Sequence, residues 1–199
     1  MRRAIATGAI VIAAMGLGRV INDHIPTGDV ADKPFVHAGS VGRAVALDYA
    51  DVTVTGVHVT PTIMGNPASA AGGRWLVVDT ELLATKRPTT VAGLFLVDDR
   101  DRRWIASTRG PECAQSANLS TGVRHYASVC FDVPKKALAG AHLMVTRGAW
   151  DSHEAQFRRD DLARIDLGID ASEVDGLWAG KDPVNVKESG PVPPAEARR

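Results

Sequence analysis

The sequence predicts an all-β antiparallel sandwich preceded by an N-terminal hydrophobic helix. Three observations lead there. Residues 73–84 alternate as one long half-buried strand, shorter alternating segments recur with turn residues between them, and no long helical period follows residue 21. At 199 residues the chain suits one domain plus extensions, and a hydrophobic share of 45% is enough for a real core.

Met1-Arg2-Arg3 precedes an apolar run with no charge until Arg19. Two arginines ahead of such a run read as a signal anchor or a signal peptide over residues 1–21. Over residues 4–21 a helix is about 27 Å long at ~1.5 Å per residue, close to a bilayer core of roughly 30 Å. Arg19 would then reach outward to the interface. No Ala-x-Ala cleavage site follows, and no cysteine follows closely enough to carry a lipid. Anchor and cleaved signal both remain open. Either way the remainder is expected outside, on the membrane or secreted, with the arginines inside. The rest of a twin-arginine motif is absent.

A polar tether is expected over residues 22–34, which include Pro26, Gly28 and Pro34. The sandwich is expected over 35–180. Val45-Ala46-Leu47 reads as its first strand. In residues 51–60, Val52 and Val54 share a face while Val57 and Val59 have the opposite parity. Gly56 at the break predicts a β-bulge that returns both to the core. Residues 61–73 read as a small-residue loop. In the long strand, Leu76, Val78, Thr80, Leu82 and Ala84 point inward, and Trp75, Val77, Asp79 and Glu81 point outward. The outer face is therefore partly apolar, which suits either a partner or cover by the chain itself.

Lys86-Arg87-Pro88 makes a turn, residues 89–97 read as one strand, and Asp98-Asp99-Arg100-Asp101 is a polar hairpin turn into a strand at 103–107. Residues 108–124 read as a long loop. Residues 126–133 alternate, with Ala127, Val129, Phe131 and Val133 inward. Strands follow around Ala141, Leu143 and Val145 and within 155–169, and a helical turn at 172–178. From Lys181 the prolines and scattered charges predict a disordered Pro-rich tail over 181–199.

The segment from Phe35 to about Gly148 resembles the immunoglobulin-like (telokin-like) domains of unknown function of exported or membrane-anchored actinobacterial proteins. The carrying residues are Val52-Thr53-Val54-Thr55-Gly56-Val57, Trp75-Leu76-Val77-Val78-Asp79, Leu96-Val97-Asp98-Asp99 and Phe131-Asp132-Val133-Pro134. Such domains often carry an asparagine in the turn after the long strand, where this chain has Ala84-Thr85-Lys86-Arg87-Pro88. The resemblance implies an exported immunoglobulin-like sandwich and no catalytic residues to carry over.

Cys113 and Cys130 are expected to pair, since an exported compartment permits disulfides and such a closure contributes about 3 kcal/mol in the chain-entropy model. The six histidines are scattered. His153-Glu154 opens like a zinc-protease motif, but Phe157 stands where the second His must be. Met64 and Met144 with the histidines lack copper-site spacing. Asp98, Asp99 and Asp101 lack the glycine and closing acid of a calcium loop. Gly39-Ser40-Val41-Gly42 is not a nucleophile elbow, and Asn118-Leu119-Ser120 fits a glycosylation sequon. No catalytic residue, metal ligand or cofactor is expected. Lys plus Arg and Asp plus Glu are both 23, which argues against nucleic acid.

The function expected is a membrane-anchored extracytoplasmic sandwich binding a protein partner of the cell envelope. The alternatives are an exported carrier of a small hydrophobic or metal ligand, with an apolar pocket between the sheets, and an envelope hydrolase, with polar groups converging in a cleft.

Overall fold

The computed structural model describes residues 2–24, 33–65, 67–110, 112–148, 160–186 and 188–192, with side chains from Ala13 onward. It divides into two compact units, residues 1–33 and 34–199. In the first, α1 spans Arg2–His24. Its described apolar side chains Met15, Leu17, Val20 and Ile21 are exposed, and Arg19 lies 3.9 Å from Asp23 one turn on. Among the described residues no helix is long and apolar enough to cross a membrane; residues 4–12 of the apolar run precede the described side chains.

The second unit is a β-sandwich. In chain order its strands are β1 (Phe35–Ser40), β2 (Ala44–Ala46), β3 (Ala50–Met64), β4 (Ser69–Ala84), β5 (Thr89–Val91), β6 (Gly93–Val97), β7 (Arg103–Ile105), β8 (Ala117–Leu119), β9 (Arg124–Val133), β10 (His142–Thr146), β11 (Asp161–Asp166), β12 (Val184–Asn185) and β13 (Gly190–Pro191), with a short α2 at Val174–Ala179 before β12. One sheet runs β1-β11-β10-β6-β7. The other runs β12-β3-β4-β9-β13, with β2 also on β3. A small third sheet pairs β5 with β8. Among the described strands, pairing is antiparallel except at two edges, where β1 joins β11 and β12 joins β3 in parallel; Ala84 also makes a single parallel bridge to Thr121.

β4 is the centre of the second sheet, between β3 and β9. Leu76, Val78, Thr80, Leu82 and Ala84 are all fully buried, as their parity requires. They meet Leu94, Leu96, Leu143, Val145 and Ile165 of the facing sheet in the main core. Each such apolar side chain contributes about 1.5–3 kcal/mol relative to exposure. Thr80 is accommodated because its hydroxyl donates to Ala127 O at 2.7 Å. The β3 bulge lies at the foreseen place: the register shifts between Val54 and Gly56, and Val57 and Val59 return to the core.

Several elements differ from expectation. The polar start of the domain is a strand, β1, which the sequence reading missed. It is an edge strand with Phe35 and Val36 exposed, so it lacks an alternating pattern. Residues 61–73 are mostly strand, because Pro61 falls at a second register shift, where the ladder asks no N–H of it. Residues 89–97 divide at Ala92 into β5 and β6 on different sheets. Glycine permits the close approach to β10 that follows, since a Cβ at Gly93 would overlap Thr146 Oγ1. The expected long loop contains β8. Residues 184–185 and 190–191 belong to sheet edges, and Val186 is buried. The tail expected to be disordered thus contributes β12 and β13 to the sheets, and residues 187 and 193–199 lie outside the described part. So do Trp150, His153, Glu154 and Phe157.

The outer face of β4 is covered by the chain itself. Trp75 and Val77 are buried in a second cluster with Ile63, Cys113, Cys130 and Val186. Ser107 N–H donates to Cys130 O and Ala114 N–H to Ser128 O, both at 2.8 Å, so this segment runs along β9. Cys113 and Cys130 are disulfide-bonded, with Cα atoms 5.6 Å apart. A Cβ at Gly110 would overlap Cys113 Sγ, so only glycine passes this close to the bridge.

Candidate functional site

The bulge that returns Val57 and Val59 to the core also builds one wall of an open cleft. The other walls are Leu167, Gly168 and Ile169, directly after β11, and Glu173, Gly176 and Leu177 at α2. Its volume is about 420 Å³, within the range of roughly 300–1,000 Å³ typical of ligand pockets. Backbone bonds fix the second wall: Leu167 N–H donates to Ala141 O at 3.1 Å and Gly140 N–H to Ile169 O at 3.0 Å. Three contacts seat α2. Val174 is buried in the core, Lys135 pairs with Asp175 at 2.5 Å, and the Arg74 guanidinium donates twice to Trp178 O at 3.0 and 3.1 Å. The same guanidinium lies over the Trp178 ring, 5.5 Å from its centroid.

Two absent side chains keep the cleft open, since a Cβ added at Gly168 or Gly176 would meet nothing within 4 Å. The floor is apolar, and Leu177 is 37% exposed. Glu173 puts a carboxylate on the rim and accepts the Asp170 N–H at 3.3 Å; Asp166, just before the second wall, accepts the Gly168 N–H at 2.9 Å. A second concavity of about 350 Å³ lies on the outer face of the β6–β10–β11 sheet, lined by Val36, Phe95, Met144, Leu162, Arg103 and Arg164 among others. Phe95 and Leu162 are buried there, while Val36 stands exposed at its edge.

The polar groups that do converge make a structural network. On the outer face of the β3–β4–β9 sheet, Asp79 Oδ1 accepts the Tyr126 hydroxyl at 2.7 Å and the Ser128 hydroxyl at 2.6 Å. His58 Nε2 lies 3.2 Å from Asp79 Oδ2. A hydrolytic triad needs the histidine between serine and carboxylate. Here the carboxylate is in the middle, and Ser128 is fully buried. Burial pushes the Tyr126 phenol up to about 12, with Asp79 adding to it and the Ser128 bond opposing.

Asp98, one of the calcium candidates, is buried and saturated. Oδ1 accepts the Arg100 and Arg102 N–H groups at 2.9 and 3.0 Å, and Oδ2 accepts Arg102 Nε at 2.7 Å and the Trp104 indole at 3.2 Å. Burial works to raise its pKa, but these donors together hold it below the usual carboxylate value. Among the described residues no group of three or more His, Cys, Asp or Glu side chains could hold a metal ion. Met64 and Met144 sit on different sheets. Asn118 Oδ1 accepts the Thr90 hydroxyl at 2.8 Å. The described tryptophans lie apart: Trp75 is in the second cluster, while Trp104 and Trp178 lean on the main core.

The residues of the cleft wall, Leu167 to Ile169 and Glu173 to Leu177, went unnoticed in the sequence. The one signal for the cleft was the parity break at Gly56.

No family model matches the chain, and no curated protein matches it. Among solved structures, 65% of the chain is similar to 98% of the yjhA protein of Bacillus subtilis, at 14% identity and a TM-score of 0.48. It is similar over 67% of its length to 41% of the ycdA protein of Bacillus subtilis, at 14% identity and a TM-score of 0.45. It is similar over 67% to 96% of a β-sandwich protein of Clostridium difficile, at 7% identity and a TM-score of 0.34.

Proposed function

We propose that this protein is a membrane-anchored, extracytoplasmic sandwich of the immunoglobulin-like (telokin-like) kind, acting as a protein-interaction module of the cell envelope. The anchor reading is supported by Arg2 and Arg3 ahead of the apolar run and by the exposed Met15, Leu17, Val20 and Ile21 on α1, which call for an apolar surrounding. The Cys113–Cys130 bridge suits an oxidising compartment. The segments that carry the family resemblance all lie on β3, β4, the β6–β7 hairpin and β9 with the turn after it.

The observation that carries the interaction reading is a contrast between two apolar surfaces. The chain covers the outer face of β4 with its own stapled segment, yet it leaves the Val57–Leu177 cleft open. Site-specific photocrosslinking in cells tests this. A photoreactive residue at Leu177 is expected to give a discrete adduct with an envelope protein, whereas one at exposed Arg100 gives none. Fractionation is expected to place the protein with membranes. A soluble, adduct-free protein overturns both the anchor and the module.

The cleft volume also favours a second reading, carriage of a small hydrophobic ligand. A bound lipid in partner-free protein, seen by native mass spectrometry, would select it.

A further inference from the structure

We infer that the cleft takes a basic peptide segment, with an apolar side chain on the Val57–Val59–Leu177 floor and a lysine or arginine against Glu173 on its rim. This rests on the interaction-module reading and specifies its partner's chemistry. Three observations converge. The floor is apolar and open, with space at Gly168 and Gly176 that no neighbour fills. The rim belongs to a stretch, residues 166–175, that holds Asp166, Asp170, Glu173 and Asp175 and no Lys or Arg, in a chain whose formal net charge is zero. Among the described residues, Asp175 has its cation in Lys135, while Asp166, Asp170 and Glu173 face no ion-pairing cation.

A carboxylate at the rim of an apolar floor, with further acidic residues in the same stretch, repels a fatty-acid carboxylate or an anionic headgroup and attracts a cation carried beside an apolar group. The partner supplies both features at once when a leucine-like side chain is flanked by Lys or Arg. A basic segment from a second copy of this chain would meet the same chemistry and would show as self-association.

The test uses the full chain in zwitterionic nanodiscs, with empty discs as blank. The probes are a short capped lysine–leucine peptide, its glutamate–leucine counterpart, and laurate, followed by fluorescence anisotropy of the labelled peptides. The lysine peptide is expected to bind at least about tenfold more tightly than the glutamate peptide. Glu173→Lys, at an exposed position, is expected to weaken the lysine peptide by about tenfold or more. A Cβ at Gly176 meets nothing within 4 Å, so Gly176→Leu is expected to occupy the cleft and abolish binding while thermal unfolding stays unchanged or rises.

Equal binding of the two peptides, or full binding by Gly176→Leu, overturns the inference. Laurate displacing the peptide, and binding better to Glu173→Lys, assigns the cleft to a fatty ligand instead. If the lysine peptide fails to bind while the Leu177 adduct persists, this inference falls and the module reading stands. If the adduct is also absent, both fall.

Discussion

Asp79 accepts the hydroxyl of Ser128 at 2.6 Å, on a strand face that the chain has closed over. Asp79→Ala leaves the Ser128 and Tyr126 hydroxyls without their acceptor, so it is expected to cost about 1–3 kcal/mol in denaturant unfolding. A fluorophosphonate probe is expected to leave Ser128 unlabelled, because the hydroxyl is committed to a carboxylate and out of reach. The raised Tyr126 value means the folded chain holds this phenol neutral. Stability is therefore present below the unfolded value of about 10 and falls as pH rises toward about 12.

The Asp98 carboxylate pins the β6–β7 hairpin through four donors. Asp98→Ala is expected to destabilise by about 3–5 kcal/mol, as removal of one partner from a buried charged network does, and Asp98→Asn by less. Because the folded value is depressed, its contribution is present above the ordinary carboxylate value of about 3.9 and is lost as pH falls through the folded value. Acid unfolding of the wild type and of Asp98→Asn should therefore converge at low pH.

The Cys113–Cys130 bridge closes a sequence separation of 17 residues. Cys113→Ser with Cys130→Ser is expected to cost about 3 kcal/mol, or about 6–12 °C in melting temperature for a chain of this size. The segment it staples helps cover Trp75, so the double variant should also show red-shifted tryptophan emission. Unchanged melting would remove the bridge from the stability argument.

His125 Nε2 lies 2.9 Å from Ser189 Oγ, beside the β13 pairing. Burial lowers its pKa, so the neutral ring is the one the fold accommodates. The stabilising contribution is present above the unfolded value of about 6.5 and is lost as pH falls below it. Hydrogen exchange at Gly190 and Val192 should quicken relative to the core between about pH 7 and pH 5, and His125→Gln should flatten that dependence.

Alternation alone determined which side of β4 and β9 forms the core, because a period of two leaves no other face for Leu76, Val78 and Leu82 or for Val129 and Phe131. The parity break at Gly56 likewise announced the bulge. Both are local signals, written within a few residues of one strand. The cover over Trp75 and Val77, the parallel edges β1 and β12, and the cleft were decided only by the tertiary structure. Each depends on residues far apart in the chain meeting: Val57 with Leu177, Trp75 with Val186, Phe35 with Asp161. An edge strand with both faces half-exposed has no period to read, and a groove formed where Gly168 and Gly176 lack side chains is recorded in the sequence only as two ordinary glycines.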